Sequence, residues 1–254
     1  MVRGLFINLD RMPGRRQRIE AEISRFGLSE TYTRLGAIDG NAVVGGATAG
    51  AVGCFLSHLK AVEAARRLGG IVHILEDDAI LSERLKDFLG PPSCAAALDR
   101  FDLVFLDMWV RPDEKSVRRY QEAQRQAGDG LFLMDLRGVK VTSADSYLVG
   151  PRSVDKVAGL LAAESGAGPR GAVDSFYTQM VSTGRLTAAV VVPFLTCVDI
   201  ETGTRSSVQA IGREDQRRSV MLRTAFFVDR DRQPSLALPP LDGGAASRPG
   251  ANPS

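Results

Sequence analysis

Glu76, Asp77 and Asp78 stand consecutively at the end of the apolar run Ile71-Val72-His73-Ile74-Leu75. Three adjacent carboxylates repel one another, so a fold that keeps them together needs a use for them. A divalent cation is one such use, because hard carboxylate oxygens suit Mg²⁺ or Mn²⁺. A solvated turn is the other, with Asp77 or Asp78 capping a helix that begins near Ser82. Other residue types invite the same weighing. Asn8 and Asp10 close an apolar run, where they suit either a ligand contact or turn chemistry. Arg15 and Arg16 suit a diphosphate as well as a solvated first helical turn. His58 follows Ser57 on a stretch that leads into the acidic run, and His73 sits inside the run as a core residue. Asp107, Asp145 and Asp174 are carboxylates able to take a proton from a hydroxyl. Trp109 and Tyr147 suit sugar stacking or plain packing, and Cys54 reads as a small packing residue.

To act together, these groups must be brought to one place by the elements that carry them. The run before the acids, rich in β-branched residues, reads as a buried parallel strand. Acids at its C-terminal end sit where open α/β sheets bind ligands. Further strands are expected at Leu5–Leu9, Tyr32–Leu35, Phe101–Asp107, Leu131–Leu133, Ser146–Val149 and Leu186–Val192. Helical spacing marks Arg15–Phe26, Cys54–Leu68, Ser82–Leu89, Val154–Glu164 and Val173–Thr183. Arg111–Gly130 is polar, helical in its middle and expected to be exposed. Asp39–Gly53 is glycine-rich and reads as a mobile loop; without a Gly-Lys-Ser/Thr ending it is not a P-loop. This alternation defines an α/β fold with a mostly parallel central sheet flanked by helices. One domain over residues 1–232 is expected. A Pro-, Ala-, Gly- and Ser-rich tail over 233–254 reads as disordered.

Composition narrows the partners. With 254 residues and a formal charge of +2, the chain has no bulk attraction for a polyanion, and nucleic acid is not expected. Lys60, Lys86, Lys115, Lys140 and Lys156 are the only lysines among many arginines, a bias that GC-rich coding, which also gives the many Ala and Gly, explains better than anion binding does. The three cysteines are scattered and form no Cys-x-x-Cys pair, which fits a reducing cytoplasm. The first apolar run is too short for a signal peptide, and none reaches the ~20 residues that span a bilayer. Membrane contact would therefore be peripheral, at the inner face. Arg213–Arg223, with Arg217, Arg218 and Arg223, is the segment to consider for it, against a solvated face.

Three segments together carry a resemblance. Asn8-Leu9-Asp10 with Arg15-Arg16 comes first, then Gly53-Cys54-Phe55-Leu56-Ser57-His58-Leu59-Lys60-Ala61, then Leu75-Glu76-Asp77-Asp78. In order and spacing they resemble glycosyltransferase family 25, which includes bacterial lipooligosaccharide galactosyltransferases and collagen hydroxylysine galactosyltransferases. Asp145–Val149, Val173–Phe176 and Ser206–Val208 fit more loosely, so the resemblance spans roughly residues 3 to 210. It implies a GT-A-like single domain and inverting transfer of a hexose, commonly galactose, from a UDP-sugar with Mn²⁺ or Mg²⁺. The acceptor it implies is a hydroxyl of a cell-surface glycan such as lipooligosaccharide. By the same resemblance Asp78 is the direct metal ligand. Glu76 reaches the metal, its water or the ribose, with Asp77 in support. Asn8, Leu9, Asp10, Arg15 and Ser57 fall to the donor nucleotide. His58 touches the donor phosphate or orients the acid triplet, and Asp174 is the base, with Asp107 and Asp145 as rivals. The family's aromatic residue after Ser-His-Leu-Lys is replaced by Val62-Glu63.

Other classes remain in view. A response-regulator receiver also holds Mg²⁺ at strand ends, but its acids come near the first strand and its chain is shorter. A sugar-nucleotide or glycan-binding protein without turnover, and a nucleotidyltransferase, share the same α/β plan.

Overall fold

Apolar β-branched runs alternating with amphipathic ones fold into a sheet with helices on both faces. The computed structural model describes residues 2–43, 49–169, 171–198 and 213–229. Its elements begin with β1 (Arg3–Asn8), α1 (Pro13–Arg25), β2 (Tyr32–Gly36), α2 (Gly40–Val43), α3 (Ala49–Leu68) and β3 (Val72–Glu76). Next come β4 (Ala79–Leu81), α4 (Leu85–Leu89), α5 (Ser93–Arg100), β5 (Leu103–Phe105), α6 (Glu114–Ala127) and β6 (Phe132–Asp135). The described chain closes with β7 (Ser146–Val149), α7 (Val154–Gly166), α8 (Val173–Ser182), β8 (Ala188–Val192), β9 (Thr196–Val198) and α9 (Arg213–Ala225).

Seven strands form one sheet in the order β2-β1-β3-β7-β5-β8-β6. Five share one direction; β7 and β6 run against it. The sheet is thus mostly parallel, as expected. Successive side chains of a strand point to opposite faces. Leu5, Ile7, Ile74, Phe105 and Tyr147 accordingly join one core, beneath α3, α7 and α8. Phe6, Leu75, Val104 and Leu148 join the other, beneath α1, α4 and α5. β1 lies between β2 and β3, with α1 and α3 on opposite faces. The order therefore reverses at β1 and β3, where such sheets open a crevice beyond their C-terminal ends.

Three expectations change. Asp39–Gly53 is not simply a loop: α2 and the start of α3 occupy its described residues. Its glycines serve close packing. A Cβ on Gly40 would lie 1.6 Å from the Ala49 carbonyl oxygen, and one on Gly53 would lie 2.6 Å from the Gly40 nitrogen. Asp77 and Asp78 cap no helix. They form a turn into β4, which pairs with β9 in a separate two-stranded sheet. Ser82 then precedes α4, which starts only at Leu85. Finally, α6 is not exposed throughout. Asp113 caps it by accepting from the Ser116 amide at 2.9 Å. Its Tyr120 is buried edge-on against Phe194. The expected tail at 233–254 and the Ser206–Val208 segment lie outside the described residues.

Candidate active site

The parallel register sets Ile7 of β1 beside Glu76 of β3, so the strands end together. β7 runs against β3, which brings the residue before it to the same edge: the Glu76 amide donates to the Asp145 carbonyl at 2.7 Å. A pocket of about 360 Å³ opens there. Asn8, Leu9, Arg15, Ser57, His58, Glu76, Asp77, Asp78 and Asp174 all line it, although they come from segments far apart in the chain. Asp10 does not. It lies exposed beside the strand end, paired with Arg34. Arg16 is likewise outside, on Glu20 of its own helix.

Charge within the pocket is unbalanced. Six carboxylates line it (Asp39, Glu76, Asp77, Asp78, Asp145 and Asp174) against three guanidinium groups, of Arg11, Arg15 and Arg223. Arg11 is taken up by Asp39 at the rim, at 2.8 Å. Arg15 bridges Asp77 and Asp78 at 2.7 Å each. It holds the triplet rather than standing free for a diphosphate. Asn8 adds a hydrogen bond from its amide nitrogen to Asp77 at 2.6 Å. One guanidinium for three acids is too little. Burial, reinforced by the Asp145 and Asp77 carboxylates, pushes Glu76 up to about 8. Burial also pushes Asp78 up to about 7 against the pull of Arg15. Asp78 Oδ1 is buried with no hydrogen-bond partner among the described residues, and leaving such an atom unpaired is costly.

A hard divalent cation fits this donor set. It would satisfy the orphaned Asp78 oxygen and compensate the acid excess, with Glu76 as second ligand. A softer group stands next to it: Cys54, His58 and Glu76 have ligand atoms within 4.8 Å of one another.

His58 is buried, and that burial pushes it down to about 4, so the ring is neutral near pH 7. Its Nε2 lies 3.1 Å from Glu76 Oε1. Ser57 is occupied with backbone. Its hydroxyl donates to the Gly53 carbonyl at 2.6 Å and accepts from the Ile38 amide at 2.8 Å, tying the pocket rim to α3. Among the rival carboxylates, Asp174 opens α8 at the pocket wall, half-buried and raised by burial. Asp107 is 1% exposed, does not line the pocket and is paired with Arg223. Asp145 lines the pocket but is held by Arg223 at 2.7 Å. Trp109 is on the wall, whereas Tyr147 is fully buried and presents no face to a sugar.

By sequence, Arg223 is a candidate for lipid contact. The structure corrects this: it is buried and links Asp107 to Asp145. The signal was present. A single charge inside Val220-Met221-Leu222-Arg223-Thr224-Ala225-Phe226 has to be paired if that run is buried. No described helix is long and apolar enough to cross a membrane.

The sequence model of glycosyltransferase family 25 (LPS biosynthesis protein) matches residues 41–121. That segment, which carries the family's sequence pattern, runs from α2 through α3 and the acid triplet into α6. No curated protein matches the chain. Among solved structures, the galactosyltransferase LgtC, crystallised with donor and acceptor sugar analogues, is similar at 11% identity and a TM-score of 0.40. The alignment covers 85% of this chain and 83% of that one.

Proposed function

We propose that the chain is a glycosyltransferase that moves a hexose from a UDP-sugar, galactose being the first to test, to a hydroxyl of a cell-surface glycan such as lipooligosaccharide. The observation that carries this reading is convergence. The Gly53–Ala61 segment, the strand end at Asn8 and the acid triplet meet around one pocket whose acid excess leaves a buried Asp78 oxygen unsatisfied. The family match over 41–121 supports the same class.

Asp78 and Glu76 would hold a divalent ion, Mn²⁺ or Mg²⁺, which when bound stabilises the charge of the departing nucleoside diphosphate. Arg15 bridges Asp77 and Asp78, and Asn8 holds Asp77. In inverting transfer the acceptor oxygen bonds to the anomeric carbon as the bond to the diphosphate breaks. Asp174 takes the acceptor's proton; a carboxylate raised by burial is a stronger base than an ordinary one. Asp145 is the less suitable base because Arg223 already engages it.

The test is nucleoside diphosphate release from a panel of sugar nucleotides, with Mn²⁺ and with EDTA, for wild type and Asp78→Ala. Metal-dependent UDP release from one donor, lost in the variant, is the expected result. Pyrophosphate release from a nucleoside triphosphate would instead make the chain a nucleotidyltransferase. Full activity in EDTA would overturn the metal assignment.

A further inference from the structure

Behind His58, away from the pocket wall, stand two buried tyrosines. His58 Nδ1 lies 3.1 Å from the Tyr147 hydroxyl. The Tyr177 hydroxyl donates to that same oxygen at 3.3 Å. On its other side His58 Nε2 faces Glu76 at 3.1 Å. Tyr177 of α8, Tyr147 of β7, His58 of α3 and Glu76 of β3 thus form one line of hydrogen bonds from the core to the pocket. The two tyrosines and His58 are at most 1% exposed.

A hydroxyl has one proton to give. Because Tyr177 donates to Tyr147, the Tyr147 proton is free for His58 Nδ1. A neutral imidazole that accepts at Nδ1 carries its own proton on Nε2. That proton points at Glu76. Once Glu76 is ionised, above about pH 8 or with a divalent ion bound, the reverse order would set the bare Nε2 lone pair against its carboxylate, two acceptors face to face.

We propose that Tyr177 and Tyr147 are positioning residues. They fix His58 as its Nε2–H tautomer so that it donates to Glu76 and holds that carboxylate in place at the pocket wall. The functional consequence rests on the glycosyltransferase reading; the tautomer does not. The arrangement also sorts the two donor sets described above. With a proton on the nitrogen facing Glu76, the Cys54, His58 and Glu76 group offers no imidazole lone pair to a transition metal there. A hard ion at Asp78 and Glu76 is compatible with it.

The chain contains two histidines, so ¹⁵N-histidine labelling gives a spectrum simple enough to read. A His73→Gln sample assigns His58. In wild type above about pH 8, where Glu76 is ionised, the His58 ring should show its proton on Nε2 and an accepting Nδ1. In Tyr177→Phe, Tyr147 is no longer constrained to donate, and the His58 signals should move toward a mixture of tautomers. Metal-dependent UDP release should fall roughly tenfold in that variant, the usual scale for a residue that orients a metal ligand. A proton on Nδ1 in wild type, or ring signals unchanged by Tyr177→Phe, would overturn the relay. So would a thiolate-to-cobalt absorption band on adding Co²⁺. If Tyr177→Phe does not fold, the wild-type tautomer still decides. An intact Nε2–H signature in a protein that turns over no donor would sink the enzymatic reading and leave the relay standing.

Discussion

Two acid clusters sit at the same edge of the sheet, and they are built differently. At the end of β5, Asp107 shares Arg223 with Asp145. Asp107 and Arg223 are each 1% exposed, and Asp107 is off the pocket wall. At the end of β3, Glu76, Asp77 and Asp78 share Arg15, remain 29%, 8% and 16% exposed, and all line the pocket. In the first, two carboxylates share one internal cation on α9, and Asp107 Oδ1 is itself without a hydrogen-bond partner among the described residues. In the second, three carboxylates share one cation at an open pocket wall. Buried paired charge holds elements together; carboxylates in excess at a pocket wall suit a ligand. The difference assigns β5 and α9 to architecture and β3 to chemistry.

The largest break in that comparison comes from Arg223→Met. It leaves Asp107 buried without its cation and should destabilise the protein by about 3–5 kcal/mol, as removal of one partner from a buried pair does. Chemical denaturation measures it. Adding Asp107→Asn to Arg223→Met should recover much of the loss, because the uncompensated charge goes. A cost of the single variant below about 1 kcal/mol would mean that the pair is not what ties α9 to the sheet.

The β3 cluster should behave in the opposite way. Asp78→Asn is expected to lower metal-dependent UDP release by about 10² or more, the scale for a group aimed at developing charge. Its stability without divalent ion should hold or rise, since one repelling carboxylate is gone. A variant that lost stability instead would place Asp78 with Asp107, among the structural acids.

Acidity does not separate the clusters, because burial also pushes Asp107 up to about 7 despite Arg223; what separates them is which acids meet the pocket. Glu76 and Asp78 are raised in the fold to about 8 and about 7, above the ordinary values near 4. The folded form therefore binds more protons than the unfolded one between about pH 4 and 8. Their stabilising contribution is present below the unfolded values and is lost as pH rises through about 7 to 8. In EDTA, wild type should lose stability relative to Asp78→Asn over that interval, read as a Tm difference that widens with pH. Saturating Mn²⁺ should close the gap or reverse it. A gap independent of pH would remove the titration from Asp78.

Much of this was legible before any coordinates. Apolar runs and helical spacing placed most strands and helices, because strands buried on both sheet faces read as uninterrupted apolar runs. The pocket residues were legible where type and position coincided, as in an acid run closing a buried strand. Partnerships across long stretches of chain were not. Asp107 looked as free as Asp174 until Arg223, more than a hundred residues later, was found against it. Asp39–Gly53 looked mobile because glycine was read as freedom, whereas Gly40 and Gly53 are small so that two backbones can meet. Arg15 suited a phosphate by type; only the fold shows two carboxylates already on it.

The smallest expected effect concerns a third polar group at this sheet, one that carries no charge at all. The Tyr32 hydroxyl meets His73 Nδ1 at 2.6 Å, and His73 Nε2 meets the Ser146 hydroxyl at 2.8 Å, all buried. Burial pushes His73 down to about 3, so it stays neutral wherever the protein is folded. Tyr32→Phe removes one of these bonds and should cost about 1 kcal/mol, the net worth of a buried neutral hydrogen bond. UDP release should stay within about twofold of wild type, because the chain of contacts does not reach the pocket. The pH trend has the opposite sign to that of the acid triplet. A histidine lowered in the fold contributes stability that is present above about 6.5 and is lost as pH falls through its folded value. His58, pushed down to about 4, adds to the same trend. Wild-type stability without divalent ion should therefore fall on both sides, toward acid from the histidines and toward alkali from Glu76, Asp78 and Asp107. His73→Gln should flatten only the acid side. If it flattened the alkaline side as well, the neutral chain and the acid triplet would not be separate devices.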